Sequence, residues 1–308
     1  MNPEHPHTQN RKRWRLVLVL ISLCTFNVYG ADTDRDDCTS YNSPLEERIC
    51  EEIKLRYQRF VLVPHKPNYF IVSWDNNLES DNPVYDNFET KFQLSFKVPL
   101  NEQRASTRWL WFFGYTQTSV WQMFNFSESA PFRDTNFEPE LMVSQLLNHK
   151  LPFIDWRLRL INYGLVDHQS NGKIPPNSRS WNRSYVEFII EKTRSYITLK
   201  TWYRWKEDTK INPDDFRGDD NPDIEDFLGH GELKFFHSGE STNYSLTYRD
   251  SSKGSGRGTY QLDWTKPVLD KRGLRLYVQY FSGYGETLID YNIKRERLGI
   301  GLMLTDWL

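Results

Sequence analysis

The chain has little cysteine and methionine: three Cys and four Met among 308 residues. Three cysteines exclude a Cys₄ metal frame. No His-Glu-x-x-His zinc motif, phosphate-cradling glycine loop or dinucleotide fingerprint occurs, and neither does a Gly-x-Ser-x-Gly elbow. There is no excess of positive charge, and the net charge is −2, so a nucleic-acid partner is not suggested. Beyond the N-terminus no apolar run approaches the ~20 residues that a membrane-spanning helix requires.

The N-terminus itself reads as an export signal. Arg11, Lys12, Arg13 and Arg15 precede a short apolar core from Leu16 to Phe26, and Val28 and Gly30 are the small residues of a cleavage site after Gly30. Residues 1–30 are thus expected to be removed, leaving a mature chain about five charges negative. Of the cysteines only Cys38 and Cys50 remain, and in an oxidising compartment they could close a small loop.

The mean hydropathy is low, at −0.70, yet the aromatic content is 15%. The combination fits outer-membrane β-barrels, whose strands hide their apolar face in period-two alternation. Phe92, Leu94, Phe96 and Val98 alternate with Lys91, Gln93, Ser95 and Lys97. Leu274, Leu276, Val278 and Tyr280 alternate with Arg275, Tyr277 and Gln279. Twelve candidate strands emerge, near 69–75, 89–99, 107–121, 137–147, 153–166, 182–192, 196–206, 231–238, 242–250, 258–265, 273–283 and 297–306. The expected fold is all-β: a transmembrane antiparallel barrel of about 12 strands over 67–308, preceded by a short periplasmic segment, 31–66. A soluble all-β sandwich or barrel in the periplasm is the competing reading.

One local stretch carries chemistry. His168-Gln169-Ser170-Asn171-Gly172 is followed by Ser178-Arg179-Ser180-Trp181-Asn182-Arg183. His168 and Ser170 leave the same face of a strand, and a hairpin would return Asn182 beside them. A serine hydroxyl needs an adjacent base to become a nucleophile. Neutral imidazole can serve, and the Asn182 amide oxygen can hold its tautomer. A neutral third member suits a lipid-facing wall, where an unpaired carboxylate is costly, but it stabilises imidazolium less than an aspartate would. Gly172 can offer its N–H to an oxyanion, and a calcium ion held by loop oxygens would add Lewis acidity. The bland alternative is a chance His-x-Ser pair on the wall of a pore. His65, His149, His230 and His237 read as ordinary surface or loop residues, and the acidic run Asp214–Asp226 as a solvated loop.

At these residues the chain resembles the outer-membrane phospholipase A family of Gram-negative bacteria. The same order of motifs includes Tyr115-Thr116-Gln117, Ser129-Ala130-Pro131-Phe132-Arg133-Asp134-Thr135-Asn136-Phe137, Asp219-Asp220-Asn221-Pro222-Asp223-Ile224 and Tyr280 to Asn292. The resemblance implies a twelve-stranded barrel in the outer membrane with its site toward the outer leaflet. It implies Ser170 as nucleophile, His168 as base and Asn182 as orienter, acting on sn-1 and sn-2 acyl esters of glycerophospholipids and lysophospholipids. It further implies Ca²⁺ as cofactor and activation by homodimerisation. Lys173 and Ser178 match calcium positions on one subunit, Ser129 matches one contributed by the other, and Gln117 matches a polar residue of the dimer interface. Asp220 matches one ligand of a second calcium site, whose other acidic position in some relatives is Pro175 here. The Gly164–His168 spacing is one residue longer than the family pattern, which predicts a bulge.

Overall fold

The computed structural model describes residues 43–55, 61–101, 109–212, 214–251, 256–268 and 273–305. The expected signal peptide and Cys38 lie outside these residues, as does part of the segment 31–66. Cys50 is disulfide-bonded.

The described chain begins with helix α1, Pro44–Leu55. Thirteen strands follow: β1 (Val63–Pro64), β2 (Asn68–Asp75), β3 (Phe88–Pro99), β4 (Trp109–Trp121), β5 (Phe132–Lys150), β6 (Arg157–Ser170) and β7 (Ser180–Lys192). They continue through β8 (Ser195–Arg204), β9 (Gly231–Ser238), β10 (Asn243–Asp250), β11 (Gly258–Pro267), β12 (Arg275–Gly283) and β13 (Arg295–Thr305). β1 is a two-residue bridge onto β3. The other twelve form an antiparallel sheet in which β13 pairs with β2 and the pairing of β3 with β4 closes the circle. Every expected strand is present. β5 is longer than expected, and β6 has the expected length but starts and ends four residues later.

The polarity of the barrel is inverted relative to a water-soluble protein. Phe70, Leu94, Trp111, Leu199, Leu246, Leu262, Ile300 and Leu302 are exposed on the outer wall, while Lys91, Glu140, Arg159, Asp167, Arg183, Lys234, Asp263 and Arg297 are buried inside. Only an apolar solvent outside makes this arrangement favourable, which rules out the soluble sandwich.

Inside, the charges are paired. Arg297 forms ion pairs with Asp75 at 3.1 Å, Glu89 at 2.7 Å and Glu286 at 2.9 Å. Arg133 meets Glu89 at 2.7 Å, and Lys91 meets Glu286 at 3.0 Å. His65, expected as an ordinary surface or loop residue, lies in the connection between β1 and β2 but is half-buried, with its Nε2 2.6 Å from Glu140 Oε1. Nothing local tells that the chain ahead of β2 reaches Glu140 in the lumen. These networks leave a lumen cavity of about 350 Å³.

The two ends of the barrel differ. Connections at one end are short, as in Thr193–Arg194 between β7 and β8. At the other end they are long, including 171–179, 205–230 and 284–294. Long connections mark the extracellular end of such barrels. α1 sits at the short-turn end, where Glu46 pairs with Arg159 at 2.9 Å and Glu52 with Lys97 at 2.8 Å. Burial pushes the Glu52 carboxyl upward, but the Lys97 and Arg48 cations outweigh it and hold it below its ordinary value. A lowered folded value gives stability that is present above the ordinary carboxylate pKa of about 4.5 and is lost as pH falls through the lower one. Amide protection of α1 is therefore expected to drop roughly tenfold between pH 7 and pH 3, as hydrogen exchange corrected for intrinsic rates would measure. Unchanged protection would remove this ion pair as an anchor.

Candidate active site

β6 and β7 bring the expected residues together. His168 pairs directly with Asn182 across the two strands, and Ser170 with Ser180. Asp167 and Trp181 are fully buried, and Gln169 accepts from the Trp181 indole at 2.8 Å, so these three point inward. By alternation His168, Ser170 and Asn182 occupy the outer face. His168 Nδ1 lies 2.9 Å from Asn182 Oδ1. An amide oxygen only accepts, so Nδ1 carries the proton and Nε2 keeps its lone pair.

The predicted bulge is present. Between Gly164 and Asp167 the pairing of β6 slips by one residue against Tyr185 and Arg183, and Leu165 is also the extra residue against β5. Gly164 and His168 are four apart and would share a face in a regular strand. The extra residue puts them on opposite faces, Gly164 inward and His168 outward. Gly164 itself is packed so tightly that an added Cβ would fall 2.1 Å from the Tyr185 ring.

The loop after Ser170 is built on Asn171, which is 3% exposed. Its Oδ1 accepts from the N–H groups of Lys173 at 3.3 Å and Arg179 at 2.9 Å, and its Nδ2 donates to the Asn177 carbonyl at 2.9 Å. The same Nδ2 reaches Asp134 Oδ1 at 3.3 Å. Asp134 and Asn136 in turn accept from the N–H groups of Ile289 and Leu288, each at 3.0 Å. Leu288 and Tyr291 pack with Trp181, Tyr185, Trp202, Ile224 and Leu228 in one buried cluster. Burial and the hydrogen bond to Asp223 push the Tyr291 phenol above its ordinary value. The three motif regions 134–136, 219–224 and 288–291 thus support the loop from behind. The acidic run is only partly solvated, because Asn221 and Ile224 are completely buried.

The remaining expected residues are distributed as follows. Gly172 is exposed at φ +63°, a conformation glycine adopts without strain, beside Phe137. The Lys173 ammonium is tied to the Arg133 carbonyl, with Asp134 at 3.8 Å. Its main-chain carbonyl is then the only oxygen that Lys173 can offer a metal. Ser178 Oγ donates to Asp220 Oδ2 at 2.6 Å. Asp220 Oδ1 lies 2.5 Å from the Lys210 ammonium, so that carboxylate already has a counter-charge. Ser129 is exposed with φ +61° after a short 3₁₀ turn. It follows β4, two strands from β6 in the sheet, roughly 10 Å away. Gln117 on β4 links Tyr115 and Ser119, each at 3.3 Å, in a polar stripe on the outer wall.

The Ser178 hydroxyl and the carbonyls of the 173–178 turn are neutral oxygen donors, which suits a hard cation such as calcium. Among the described residues no cluster of three or more His, Cys, Asp or Glu side chains could hold a metal, so an ion here would need hydroxyl and carbonyl oxygens beside any single carboxylate such as Asp220.

Two contributors escaped the sequence reading. Asn171 belongs to the motif, but its part in holding the loop depends on folding. Glu207, in the connection after β8, accepts from Asn182 Nδ2 at 3.0 Å. No spacing links it to the His-x-Ser stretch.

Comparison with known proteins places these features in context. The family described as Phospholipase A1 matches residues 45–304. A Neisseria meningitidis serogroup B protein is 38% identical over 260 residues, 79% of this chain, and the chain spans 65% of that relative's length. The outer membrane phospholipase A of Escherichia coli, solved with an active-site asparagine replaced by alanine, superposes with a TM-score of 0.72. It is 33% identical and covers 83% of this chain and 98% of its own. A Salmonella typhi outer membrane phospholipase, solved as a dimer with bound calcium, gives 0.71 at 34% identity, over 82% of this chain and 97% of its own.

Proposed function

The chain belongs to the phospholipase A1 family, and we propose that it is a calcium-dependent outer-membrane phospholipase that cleaves acyl esters through Ser170, His168 and Asn182. The observation that carries this reading is the 2.9 Å bond from His168 Nδ1 to Asn182 Oδ1, two residues from a serine on the same face of a lipid-facing wall.

In the proposed reaction Ser170 Oγ attacks the ester carbonyl while His168 Nε2 takes its proton. The oxyanion is met by the Gly172 N–H. His168 then returns the proton to the departing glycerol oxygen, and a water, activated by the same imidazole, releases the fatty acid from Ser170. Asn182 holds the ring throughout. Ser178 and the Lys173 carbonyl would hold calcium, and the bound ion would supply positive charge near the developing oxyanion. Asp220 is the weakest of the assigned ligands because Lys210 neutralises it.

The site lies beside the long connections, which supports a substrate drawn from the outer leaflet. The reading includes both sn-1 and sn-2 esters and lysophospholipids. It also includes a homodimer in which Ser129 of a second copy completes the calcium site. The outward polar stripe around Gln117 supports that, since polar groups facing lipid gain by pairing with one another. The relative from Salmonella typhi is a dimer with bound calcium.

The test is fatty-acid release from mixed phospholipid–detergent micelles carrying distinct sn-1 and sn-2 labels, with calcium and with chelator. Release of both labels that stops in chelator is expected. No release in calcium, or equal release in chelator, would overturn the reading. If Asn171 builds the calcium turn, Asn171→Ala is expected to raise the calcium concentration for half-activation by about tenfold, in line with the loss of outer-shell partners at metal sites. The rate at saturating calcium should fall much less. An unchanged calcium titration would separate Asn171 from the metal.

A further inference from the structure

His168 becomes positive when it takes the Ser170 proton, and a neutral asparagine offsets little of that charge. We propose that Glu207 is a positioning residue of this site: it fixes the Asn182 amide and supplies, one hydrogen bond further back, the negative charge the triad lacks. This rests on the Ser-His-Asn reading above.

An asparagine amide has a donor end and an acceptor end that can exchange by rotation. A carboxylate only accepts. Glu207 Oε1, 3.0 Å from Asn182 Nδ2, therefore demands the NH₂ end and leaves Oδ1 for His168. That in turn sets the proton on Nδ1 and the lone pair on Nε2. Without an acceptor behind it, the amide could turn and present its NH₂ group to the imidazole, leaving Nε2 protonated and useless as a base.

The second effect is electrostatic. A hydrogen bond to an ionised acceptor is about twice as strong as a neutral one, and bonds in series polarise each other. Glu207 draws the amide protons and makes Oδ1 more negative, so the imidazolium is better stabilised. The charge stays one residue back from the ring.

Glu207 is placed by its own chain. Where the chain leaves β8, the Trp205 N–H donates to the Asn182 carbonyl at 2.8 Å and the Trp205 indole donates to Ser184 Oγ at 3.0 Å. The segment is thus pinned along β7, and two residues later Glu207 arrives half-buried beside the amide.

The test compares full-length wild type, Glu207→Gln, Asn182→Asp and the double variant in calcium-containing micelles, with Ser170→Ala as background. Glu207→Gln should lower kcat roughly three- to tenfold with KM unchanged, since the glutamine can still accept but carries no charge. Asn182→Asp sets two carboxylates against each other and should cost more. Adding Glu207→Gln to it should raise kcat, because the new amide can donate to the new carboxylate. A gain of about tenfold is expected, and a merely structural loop contact would not give it. The proposal is overturned if Glu207→Gln leaves kcat unaltered, if it changes KM alone, or if the double variant is no faster than Asn182→Asp. Wild type without Ser170-dependent release would instead bring down the hydrolase reading itself.

Discussion

Ser170→Ala is expected to abolish fatty-acid release, by at least about 10⁴-fold in kcat, while the barrel remains intact. The size follows from the proposed chemistry. Ser170 would form the acyl bond, and neither His168 nor the Gly172 N–H can replace a missing nucleophile. The residue is half-buried at the end of β6 and faces outward. Its removal therefore disturbs neither the lumen ion pairs nor the ladder to Ser180. Circular dichroism and heat-modifiable mobility on gels should match wild type, and calcium should bind with unaltered affinity. A variant that keeps more than a few per cent of wild-type activity would return the His-x-Ser pair to the status of a coincidence on a barrel wall.

The largest expected effect on stability lies in the lumen, far from that serine in role. Arg297 is almost completely buried among Asp75, Glu89 and Glu286. Arg297→Leu would leave three carboxylates sharing fewer cations: Glu89 would keep Arg133, Glu286 would keep Lys91, and Asp75 would keep Arg295 at 4.0 Å. Removing one partner of a buried charge network leaves uncompensated charge and costs about 3–5 kcal/mol. Denaturant unfolding of the barrel in detergent should show a lowered midpoint at unchanged slope. Ile300→Ala, on the opposite face of the same strand and exposed to the apolar solvent, should cost much less. Equal costs at the two positions would mean that the lumen network contributes no more than a lipid-facing contact.

The contrast between these two experiments reflects how the barrel divides its tasks. Charged pairs hold the inside together, and the outer wall is left to chemistry with lipid. The proposed reacting groups stand on rigid strands, and a loop stapled by Asn171 would supply the donors around them. That arrangement suits positional catalysis, because strands hold side chains more closely than loops do.

Much of this was written in local sequence. Alternation such as Phe92-Leu94-Phe96 against Lys91-Ser95-Lys97 reads directly as a two-faced strand, because side chains leave a strand on opposite sides in turn. All twelve barrel strands follow from that rule and the turn residues between them. His168, Ser170 and Asn182 were legible for a related reason: they come from one hairpin, so their approach depends on two adjacent strands. Even the bulge at Leu165 showed as one residue too many before His168.

What local sequence could not determine is everything that joins distant strands. Closure of the barrel by pairing of β13 with β2 is a property of the whole sheet. His65 looked like an ordinary surface or loop histidine because its partner Glu140 is 75 residues away. The Asp214–Asp226 run looked solvated, but Ile224 packs with Trp181 and Leu288 and Asn221 accepts from the Ser180 N–H, and no pattern links these partners to the run. Glu207 is the sharpest case. In sequence it is one charge in a charged connection, twenty-five residues from Asn182. Period-two alternation fixes which face a residue occupies, but only the closed barrel and its packed loops decide which residue stands opposite it.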